Sequence, residues 1–419
     1  MRFLFLTQYF PPEIGGPQTR LRCLAEELAR LGHQVEVVTA LPNYPRGAFF
    51  EGYRGKAYLR EERAGVTVHR VWLYPAQGGG WARILNYLSF TLASLFGLAR
   101  ARKPDYLLVE SPPLTLSLPA YLASRWWRVP FLFNVADLWP DAVRDSGFLE
   151  EGLALRALRR LEAWSYQKAA YVSAVTEGIR SELLTRKRVP AEKLLYLPNG
   201  VDVNHYRPRP PDLDLKRSLR LEGKKVVLWA GTLGHAHGLE FVLRAAARIS
   251  SPEIHFLFLG DGSARKELEA LAGRLSLSNV SFRDPVPVEE LPAYYSISEC
   301  ALASLRRLPT HEGARPSKVF PALASGTPVL FVGSGECASL LAGAGLVVPP
   351  EDPEALACAV TAWFAEPQRL GPCGAAARRL AEEQFAWPKL VGSWLDELRR
   401  RPGASSAPAI REARPEWNA

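Results

Sequence analysis

The stretch KVVLWAGTLGHAHGLEFVL, residues 225–243, runs from an apolar segment through three glycines into a second apolar segment. Lys225–Ala230 is short and apolar enough for a buried strand, and the pattern of Gly238–Ile249 predicts a helix. A strand, a glycine-rich turn and a helix in series form the repeating unit of a parallel α/β sheet. Because ligands bind at the carboxyl ends of the strands in such sheets, we expect Gly231 and Thr232 to line a binding crevice.

The same alternation of strands and helices extends over most of the chain. Because 419 residues are too many for one hydrophobic core, the sequence predicts two doubly wound Rossmann-like domains, each a parallel sheet covered on both faces. The strands predicted in the first half are Arg2–Thr7, Gln34–Val38, Val66–Val71, Tyr106–Val109 and Pro130–Val135, with a helix at Gln18–Leu31. The elements predicted in the second half also include strands at Ile254–Leu259, Val280–Phe282 and Thr327–Phe331, and helices at Ser263–Ser276 and Pro353–Phe364.

Turn-forming residues mark the boundary between the two domains. Pro198-Asn199-Gly200 and the prolines that follow it predict a connection rather than a regular element. We therefore expect an N-terminal domain at 1–197, a C-terminal domain at 198–380 and a C-terminal helix at 381–402 that can return to the first domain. Residues 403–419 lack an apolar period, which predicts a flexible tail.

Composition narrows the class of protein. The chain has 52 Lys and Arg against 43 Asp and Glu, a net charge of +9, which suits an anionic ligand or an anionic membrane and equally suits simple solubility. The basic residues form no arginine-rich stripe with stacking aromatics, which disfavours nucleic acid as a partner. The five scattered cysteines include no CxxC pair, so we expect reduced thiols, a cytoplasmic protein and no metal site.

Two more glycine junctions follow predicted strands. Gly15 and Gly16 lie in QYFPPEIGGPQTR, residues 8–20, and Gly260 lies in FLGDGSARKELEAL, residues 258–271. Glycines at such junctions let backbone N–H groups approach an anion, although the first of these stretches alone is better read as a tight βα loop. His237, in the junction described above, can donate to a phosphate or be merely an exposed polar residue.

The stretch HEGARPSKVFPALASGTPVL, residues 311–330, looks like an anion site at the start of a helix. Arg315 and Lys318 flank Pro316 and Ser317, and proline is well tolerated at the first position of a helix. The sequence therefore predicts a phosphate-binding site on the first turn, residues 316–318. Pro321 then falls inside the predicted helix, where proline costs on the order of 3 kcal/mol unless something compensates.

FNVADLWPDAV, residues 133–143, places Asp137 and Asp141 after an apolar strand. A carboxylate at a strand's carboxyl end can steer a hydroxyl or stabilise a reacting centre. It can also cap a helix, since Asp is a good N-cap. For Asp137 the two roles stay open, and for Asp141 a cap or a surface position is the prediction.

RILNYLSFTLASLFGLARARK, residues 83–103, is apolar from Ile84 to Ala99 and bounded by basic residues. Its sixteen apolar-rich residues include four polar ones, which is too short and too polar for a clear membrane span. RWWR, residues 125–128, combines basic residues with tryptophan, a composition typical of the headgroup level of a bilayer. The sequence leaves open whether residues 84–99 face lipid or form a core helix.

Nine motifs, in order along the chain, resemble those of family-4 retaining glycosyltransferases of the GT-B fold, close to the L-fucosamine transferase-like group of O-antigen, capsule and exopolysaccharide assembly. They are QYFPPEIGGPQTR (8–20), LPNYPRGAFFEGY (41–53), RILNYLSF (83–90), SPPL (111–114), DLWPDAV (137–143), PNGVD (198–202), AGTLG (230–234), GDG (260–262) and RPSKVFPALASGTPV (315–329).

The resemblance implies transfer of a sugar from a nucleotide-sugar across a central cleft without a divalent metal, with a UDP-sugar favoured and a GDP-sugar as the alternative. Its acceptor would be a polyprenyl- or lipid-linked sugar at the inner face of the cell membrane, where the protein would be peripheral. The catalytic residue implied is Asp137. The donor-binding residues implied are Gly15, Gly16, Thr232, His237, Gly260, Glu312, Arg315 and Lys318.

The sequence departs from that family at three places. Gly313 and Pro321 occupy the positions of a usual pair of glutamates, and Glu312 is the expected substitute. His237 stands where a basic residue often ends the AGTLG-type loop, and Ala136 stands where many relatives carry a histidine. The missing glutamates suggest an alternative function, a catalytically weak homologue that binds a nucleotide-sugar and acts as an assembly partner.

Overall fold

The first domain is built on one eight-stranded sheet. The computed structural model describes residues 1–44, 46–76, 80–145, 147 and 149–401, so the predicted tail at 403–419 lies outside the described residues. The strands are β1 (Arg2–Leu6), β2 (Gln34–Ala40), β3 (Tyr58–Arg63), β4 (Val66–Val71), β5 (Tyr106–Ser111), β6 (Phe131–Val135), β7 (Tyr171–Ala174) and β8 (Leu194–Tyr196). Their order is β3-β4-β2-β1-β5-β6-β7-β8, and all neighbours are parallel except β3 and β4.

Helices cover both faces of this sheet. They are α1 (Gly16–Arg30), α2 (Trp81–Arg100), α3 (Ser117–Trp127), α4 (Asp141–Asp145), α5 (Leu153–Lys168) and α6 (Glu177–Thr185). In β1, Leu4 and Leu6 belong to the core on one face, and Phe3 and Phe5 to the core on the other. Successive strand residues point to opposite faces, so a strand that is apolar at every position needs a layer on each side.

The second domain repeats the plan with six parallel strands. These are β9 (Lys225–Ala230), β10 (Ile254–Leu259), β11 (Val280–Arg283), β12 (Cys300–Ser304), β13 (Val329–Val332) and β14 (Gly345–Val348), in the order β11-β10-β9-β12-β13-β14. Its helices are α7 (Leu213–Ser218), α8 (Leu239–Ala246), α9 (Arg265–Arg274), α10 (Leu291–Ser296), α11 (Val319–Ala324), α12 (Gly335–Leu340), α13 (Pro353–Ala365) and α14 (Leu370–Leu380). The two-domain α/β architecture predicted from the sequence is confirmed.

The chain crosses between the domains twice, and the two crossings lie side by side. The backbone N–H of Val201 donates to the carbonyl of Phe385 at 2.8 Å, and Val201 pairs with Ala386. The single helix predicted at 381–402 is wrong, because the backbone becomes extended at Ala386 before the last helix, α15 (Trp387–Arg399), begins. That helix packs on α1 of the first domain.

Helix α2 has an unusual distribution of side chains. By length and composition it could cross a membrane, yet it packs on β2, β4 and α3. Its buried face holds Asn86, Thr91 and Ser94, and Asn86 accepts a hydrogen bond from Gln8 at 2.6 Å. The polar residues counted against a membrane span therefore face the protein, while the long apolar side chains face outward.

We call this outward surface the apolar ridge. It consists of the exposed side chains of Ile84, Leu85, Leu88, Leu92, Leu95 and Phe96 on α2, and Leu118, Leu122 and Trp126 on the adjacent α3. Arg100 lies over the ring of Phe96, at 4.6 Å from its centroid, and Arg125 and Arg128 are exposed next to Trp126. The core alternative is confirmed for the inward face of α2, and the lipid-facing alternative stays a prediction for the exposed face.

Candidate functional site

The two domains meet where the carboxyl ends of their strands face each other. A Cβ added to Gly16, the first residue of α1, would lie 3.2 Å from the hydroxyl of Ser317 in the second domain. Gly15 precedes Gly16 at the end of the loop after β1, so both glycines lie at this junction. The structure thus brings the first-domain glycines next to the 315–318 segment across the cleft.

The glycine loops after β9 and β10 pack backbone against backbone. Gly260 has φ 152°, and a Cβ there would collide with the carbonyl oxygen of Gly231. Only glycine fits such a contact. Thr232 follows on the exposed side of the same junction, so the two loops form one wall of the cleft.

Lys318 reaches over this wall. Its Cε would lie 3.3 Å from a Cβ on Gly231, and its Nζ lies 4.0 Å from the centroid of the Trp229 ring. No carboxylate pairs with it among the residues that the structure describes, and burial lowers its pKa to about 7. A partly desolvated ammonium group without a counter-ion is a site that favours an incoming anion.

His237 faces the same space, but it contributes no positive charge. Its Nδ1 donates to the carbonyl of Ser304 at 3.1 Å, which leaves Nε2 as a hydrogen-bond acceptor. Burial and the charge of Lys318 lower its pKa to about 2. In this arrangement the neutral ring can accept a hydrogen bond from a hydroxyl, and donation by His237 to a phosphate stays a prediction.

Arg315 lies beside Lys318 in sequence but performs a different task. Its Nη2 pairs with Glu336, its Nη1 donates to the Tyr196 hydroxyl at 3.0 Å, and its guanidinium lies over the ring of Phe385. Tyr196 belongs to the first domain. Arg315 is thus held at the domain junction, and its charge is already compensated.

Glu312 points away from this cluster. Its Oε1 accepts a hydrogen bond from the Ser334 hydroxyl at 2.6 Å, in a cavity of about 570 Å³ at the carboxyl ends of β13 and β14. Arg307 and Pro349 line the same cavity. Glu312 is therefore within the cleft region, but the structure does not place it with Lys318.

The predicted helix start at residues 316–318 is wrong. Residues 317–318 form a turn, α11 begins at Val319, and the N–H of Val319 donates to the carbonyl of Pro316 at 3.1 Å. Pro321 is consequently the third residue of α11, and the first four N–H groups of a helix have no partner within it. Proline at this position removes no helical hydrogen bond, so Pro321 does not interrupt α11.

Asp137 follows β6 and faces the second domain. Its side chain is accessible to solvent. Desolvation by the surrounding protein nevertheless raises the pKa of Asp137, and the nearby His311 of the second domain acts to lower it. The imidazole Nδ1 of His311 donates to the carbonyl of Arg306 at 2.9 Å, which fixes the ring. Because α4 begins only at Asp141, Asp137 is not the N-cap of that helix.

Asp141 is a structural residue rather than a surface one. It is 1% exposed, and its Oδ2 lies 2.8 Å from Lys187 Nζ and 2.7 Å from Arg186 Nη2. Burial alone would raise its pKa, but the hydrogen bond and charge of Lys187 hold it below its usual value. The prediction of a cap or surface role is corrected accordingly.

Three residues of the cleft were missed by sequence reasoning. They are Glu336, His311 and Trp229. Each lies near glycines or prolines that predict turns, and its partners are distant in sequence. Only Trp229 carried a usable signal, because it immediately precedes the glycine junction of β9. Within the described ranges, no group of three or more His, Cys, Asp or Glu side chains is arranged to hold a metal ion.

Comparison with known proteins places this geometry in context. Residues 15–200 match the model of a glycosyl transferase 4-like domain, and residues 224–366 match that of glycosyl transferases group 1. The putative colanic acid biosynthesis glycosyl transferase WcaI of Escherichia coli is 28% identical over 412 residues, covering 95% of this chain and 100% of its own.

Two further similarities concern nucleotide-sugars. A GDP-mannose-dependent alpha-mannosyltransferase of Mycolicibacterium smegmatis is 27% identical over 419 residues, covering 96% of this chain and 99% of its own. Anabaena HepE, solved in complex with UDP and glucose, superposes with a TM-score of 0.72 at 18% identity, over 95% of this chain and 99% of its own. The structural likeness shows the shared fold.

Proposed function

The chain belongs to the GT-B glycosyltransferases of polysaccharide or glycolipid biosynthesis, and on that premise we propose that it moves a sugar from a nucleotide-sugar to a lipid-linked sugar acceptor with retention of anomeric configuration. In this proposal the second domain binds the donor, the first domain binds the acceptor, and the reaction takes place in the cleft whose two sides meet at Gly16 and Ser317.

Lys318 is the observation that carries the donor half of the proposal. Its ammonium group is partly desolvated, lies over the backbone of Gly231 and has no carboxylate partner in the described part of the chain. Such a group suits a diphosphate. Positive charge at this place stabilises the negative charge that develops on the leaving diphosphate as the glycosidic bond breaks. Gly16, Thr232 and Gly260 bring backbone close to the same space.

We assign Asp137 the catalytic role. It reaches the cleft from the first domain, where it can orient the acceptor hydroxyl or stabilise positive charge at the anomeric carbon. His237 accepts a hydrogen bond from a hydroxyl of the donor, and Glu312 remains the proposed substitute for a ribose contact. Arg315 supports the diphosphate from the junction, either directly after leaving Glu336 or by holding the domains together.

The proposed donor nucleotide is UDP, with GDP as the alternative. UDP is favoured by the resemblance to the L-fucosamine transferase-like group, and HepE, which shares the fold, was solved with UDP and glucose. The mannosyltransferase that matches over nearly the whole chain depends, by its name, on GDP-mannose. The two nucleotides differ in the base, whereas Lys318 addresses the diphosphate that they share.

The apolar ridge supports the acceptor half of the proposal. Exposed leucines on α2 and the exposed Trp126 on α3, bordered by arginines, suit the interface of an anionic membrane. We therefore place the protein at the inner face of the cell membrane as a peripheral protein. A membrane-embedded acceptor could then reach the cleft from the side of α2.

A thermal-shift screen with UDP, GDP, ADP and CMP tests the donor assignment. A ligand that binds the folded state alone raises the melting temperature as its concentration rises. We expect UDP to give the largest shift and Lys318→Ala to abolish it. No shift with any of the four, or equal shifts in Lys318→Ala, would contradict the proposed site.

One observation favours a second candidate function. Gly313 and Pro321 stand in place of the two glutamates, and Glu312, the nearest substitute, points to Ser334 and away from Lys318. A homologue that binds a nucleotide-sugar but transfers it weakly would have such a site. Measured turnover with pure protein distinguishes this binding role from the enzymatic one.

A further inference from the structure

Arg83 lies in the first turn of α2 with no carboxylate partner among the described residues. Its Nε donates to the hydroxyl of Tyr87 at 3.1 Å, and its guanidinium carbon lies 5.1 Å from the centroid of the Tyr87 ring. The side chain is half-buried, and a guanidinium group keeps its charge at every physiological pH. A partly desolvated charge without a counter-ion favours the binding of an anion.

Two further tyrosines lie around this charge. Tyr9, just after β1, is 8% exposed, and its hydroxyl lies close to that of Tyr87 but makes no well-formed hydrogen bond with the residues that the structure describes. Burial raises the pKa of Tyr9 well above its usual value, and the neighbouring Tyr87 adds to the effect, so the hydroxyl keeps its proton. Tyr44 packs edge-on against Tyr9 with ring centroids 5.6 Å apart. A buried donor without an acceptor is costly, and a ligand oxygen would remove that cost.

The cluster is held in place by buried hydrogen bonds. Gln8 donates to Asn86 at 2.6 Å, and Asn86 donates to the carbonyl of Tyr74 at 2.7 Å, which ties α2 to the loops after β1 and β4. The backbone N–H of Tyr44 donates to the buried carboxylate of Glu13 at 2.8 Å. The side chains around Arg83 are therefore positioned before any ligand binds.

The apolar ridge begins next to this cluster. Ile84, Leu85 and Leu88 are exposed on the outward face of the same turns whose inward face carries Arg83 and Tyr87. At 1.5 Å per residue, the helix carries the ridge from Ile84 to Leu92 over roughly 12 Å. The charge of Arg83 thus lies next to the apolar ridge. This arrangement suits an amphiphile that carries a phosphate at one end of a hydrocarbon chain.

We propose that Arg83, Tyr9 and Tyr87 bind the phosphate that joins the acceptor's sugar to its lipid, while the hydrocarbon lies along the apolar ridge. This assignment rests on the proposed function and names the acceptor's chemical class, a phosphate-linked hydrocarbon chain. The cluster lies at the carboxyl ends of β1, β2 and β4, and Asp137 follows β6 at the same edge of the parallel sheet. In the proposal, the sugar beyond the phosphate lies along this edge.

Binding of farnesyl diphosphate, a short-chain probe, tests the assignment with the full-length protein. We expect Arg83→Gln to weaken this binding by about tenfold or more, since a charged contact to phosphate is lost. Tyr87→Phe, which removes only a hydroxyl, should weaken it by roughly threefold to tenfold. The matched control, Arg156→Gln on the exposed face of α5, should leave it unchanged, and all three variants should bind nucleotide as the parent does.

Further arms separate the sources of the signal. Arg83→Gln should still bind vesicles of phosphatidylglycerol and phosphatidylcholine like the parent, because the phosphate site faces the cleft. Equal losses of vesicle binding and probe binding would overturn the assignment in favour of general membrane attraction.

Inorganic pyrophosphate should bind much more weakly than farnesyl diphosphate, because it has no hydrocarbon chain. Equal affinity for the two would show that the apolar ridge plays no part in binding.

Two outcomes contradict the assignment without touching the donor site. One is farnesyl diphosphate binding that is the same in Arg83→Gln, Tyr87→Phe and the parent. The other is binding that is lost in Lys318→Ala instead, which would place the probe in the donor site. If, by contrast, the parent transfers sugar to a water-soluble acceptor and never to a lipid-linked one, the proposed function itself fails.

Discussion

The carboxylate Oε2 of Glu336 lies 2.6 Å from the backbone nitrogen of Gly178, which belongs to the other domain. Oε1 of the same carboxylate accepts from the N–H of Glu177 at 3.0 Å and pairs with Arg315. Glu336 therefore receives two of the unpaired N–H groups at the start of α6, where negative charge is favourable. Gly178 and Gly313 are also in contact, and a Cβ on either would force the domains apart.

This junction predicts the effect of Glu336→Gln. A neutral amide accepts these hydrogen bonds more weakly and leaves Arg315 unpaired, so the closed arrangement should lose about 1–2 kcal/mol. Small-angle X-ray scattering should report a larger radius of gyration, while Glu354→Gln, at an exposed pair within one domain, should not change it. An unchanged scattering profile in Glu336→Gln would mean that other contacts hold the cleft closed.

The lowered pKa of Lys318 predicts a pH dependence of nucleotide binding. With a pKa of about 7, the ammonium form that attracts diphosphate is lost as the pH rises from 7 to 8.5, so UDP affinity should fall on the order of tenfold. The stability contribution of this residue has the opposite sign. Its folded pKa lies below its unfolded pKa, so the unfolded chain binds more protons between the two values and stability rises with pH there. Titration calorimetry at several pH values, in buffers of different ionisation enthalpy, should show proton uptake on binding; a pH-independent affinity would place the diphosphate elsewhere.

Asp137 and Asp141 should respond differently to the same substitution. Asp137→Asn should reduce turnover by about a hundredfold or more while nucleotide binding persists, because only the reacting centre loses its charge.

Asp141→Asn should instead lower the free energy of unfolding by roughly 3–5 kcal/mol, since Lys187 and Arg186 lose their buried partner. Steady-state kinetics and urea unfolding measure the two effects. Near-normal turnover in Asp137→Asn would show that the residue is not catalytic.

The apolar ridge predicts a specific loss of membrane association. Leu92 is 70% exposed, so Leu92→Glu should weaken binding to phosphatidylglycerol vesicles several-fold with little change in melting temperature. Leu213→Glu, at a similarly exposed leucine in the second domain, is the matched control and should bind vesicles as the parent does. Sedimentation with vesicles measures both. Equal binding by the two variants would remove the ridge from membrane contact.

Much of the architecture could be predicted because short segments of the sequence carry the hydrophobic pattern of the strand or helix that they form. The strands β1 and β9 are apolar at every position after the first, which requires a layer on both sides of the sheet. Five of the described strands were missed. Of these, β3 is an exposed, charged edge strand and β12, sequence CALAS, is made mostly of small residues. The other three, β7, β8 and β14, are only three or four residues long, too short for a clear pattern. Tertiary packing rather than local propensity places such segments in a sheet.

The site was only partly predictable for a related reason. Gly231 and Gly260 follow the neighbouring strands β9 and β10, and strand ends meet at one edge of a sheet, so their proximity could be inferred. The hydrogen bonds from Glu177 and Gly178 to Glu336 depend on how the two domains face each other, which no local pattern records. The start of α11 depends on a single turn at residues 317–318, and a shift of three residues turned Pro321 from an apparent helix breaker into a first-turn residue.

The most direct test of the account is the mass of the acceptor after incubation with pure protein. The parent, given a UDP-sugar or GDP-sugar and a prenyl-diphosphate-linked sugar, should add one sugar residue to the acceptor and release one nucleoside diphosphate for each. Lys318→Ala and Asp137→Asn should each lose most of this product. A protein that binds nucleotide but leaves the acceptor mass unchanged with every donor would contradict transfer at this site and favour the binding-only homologue.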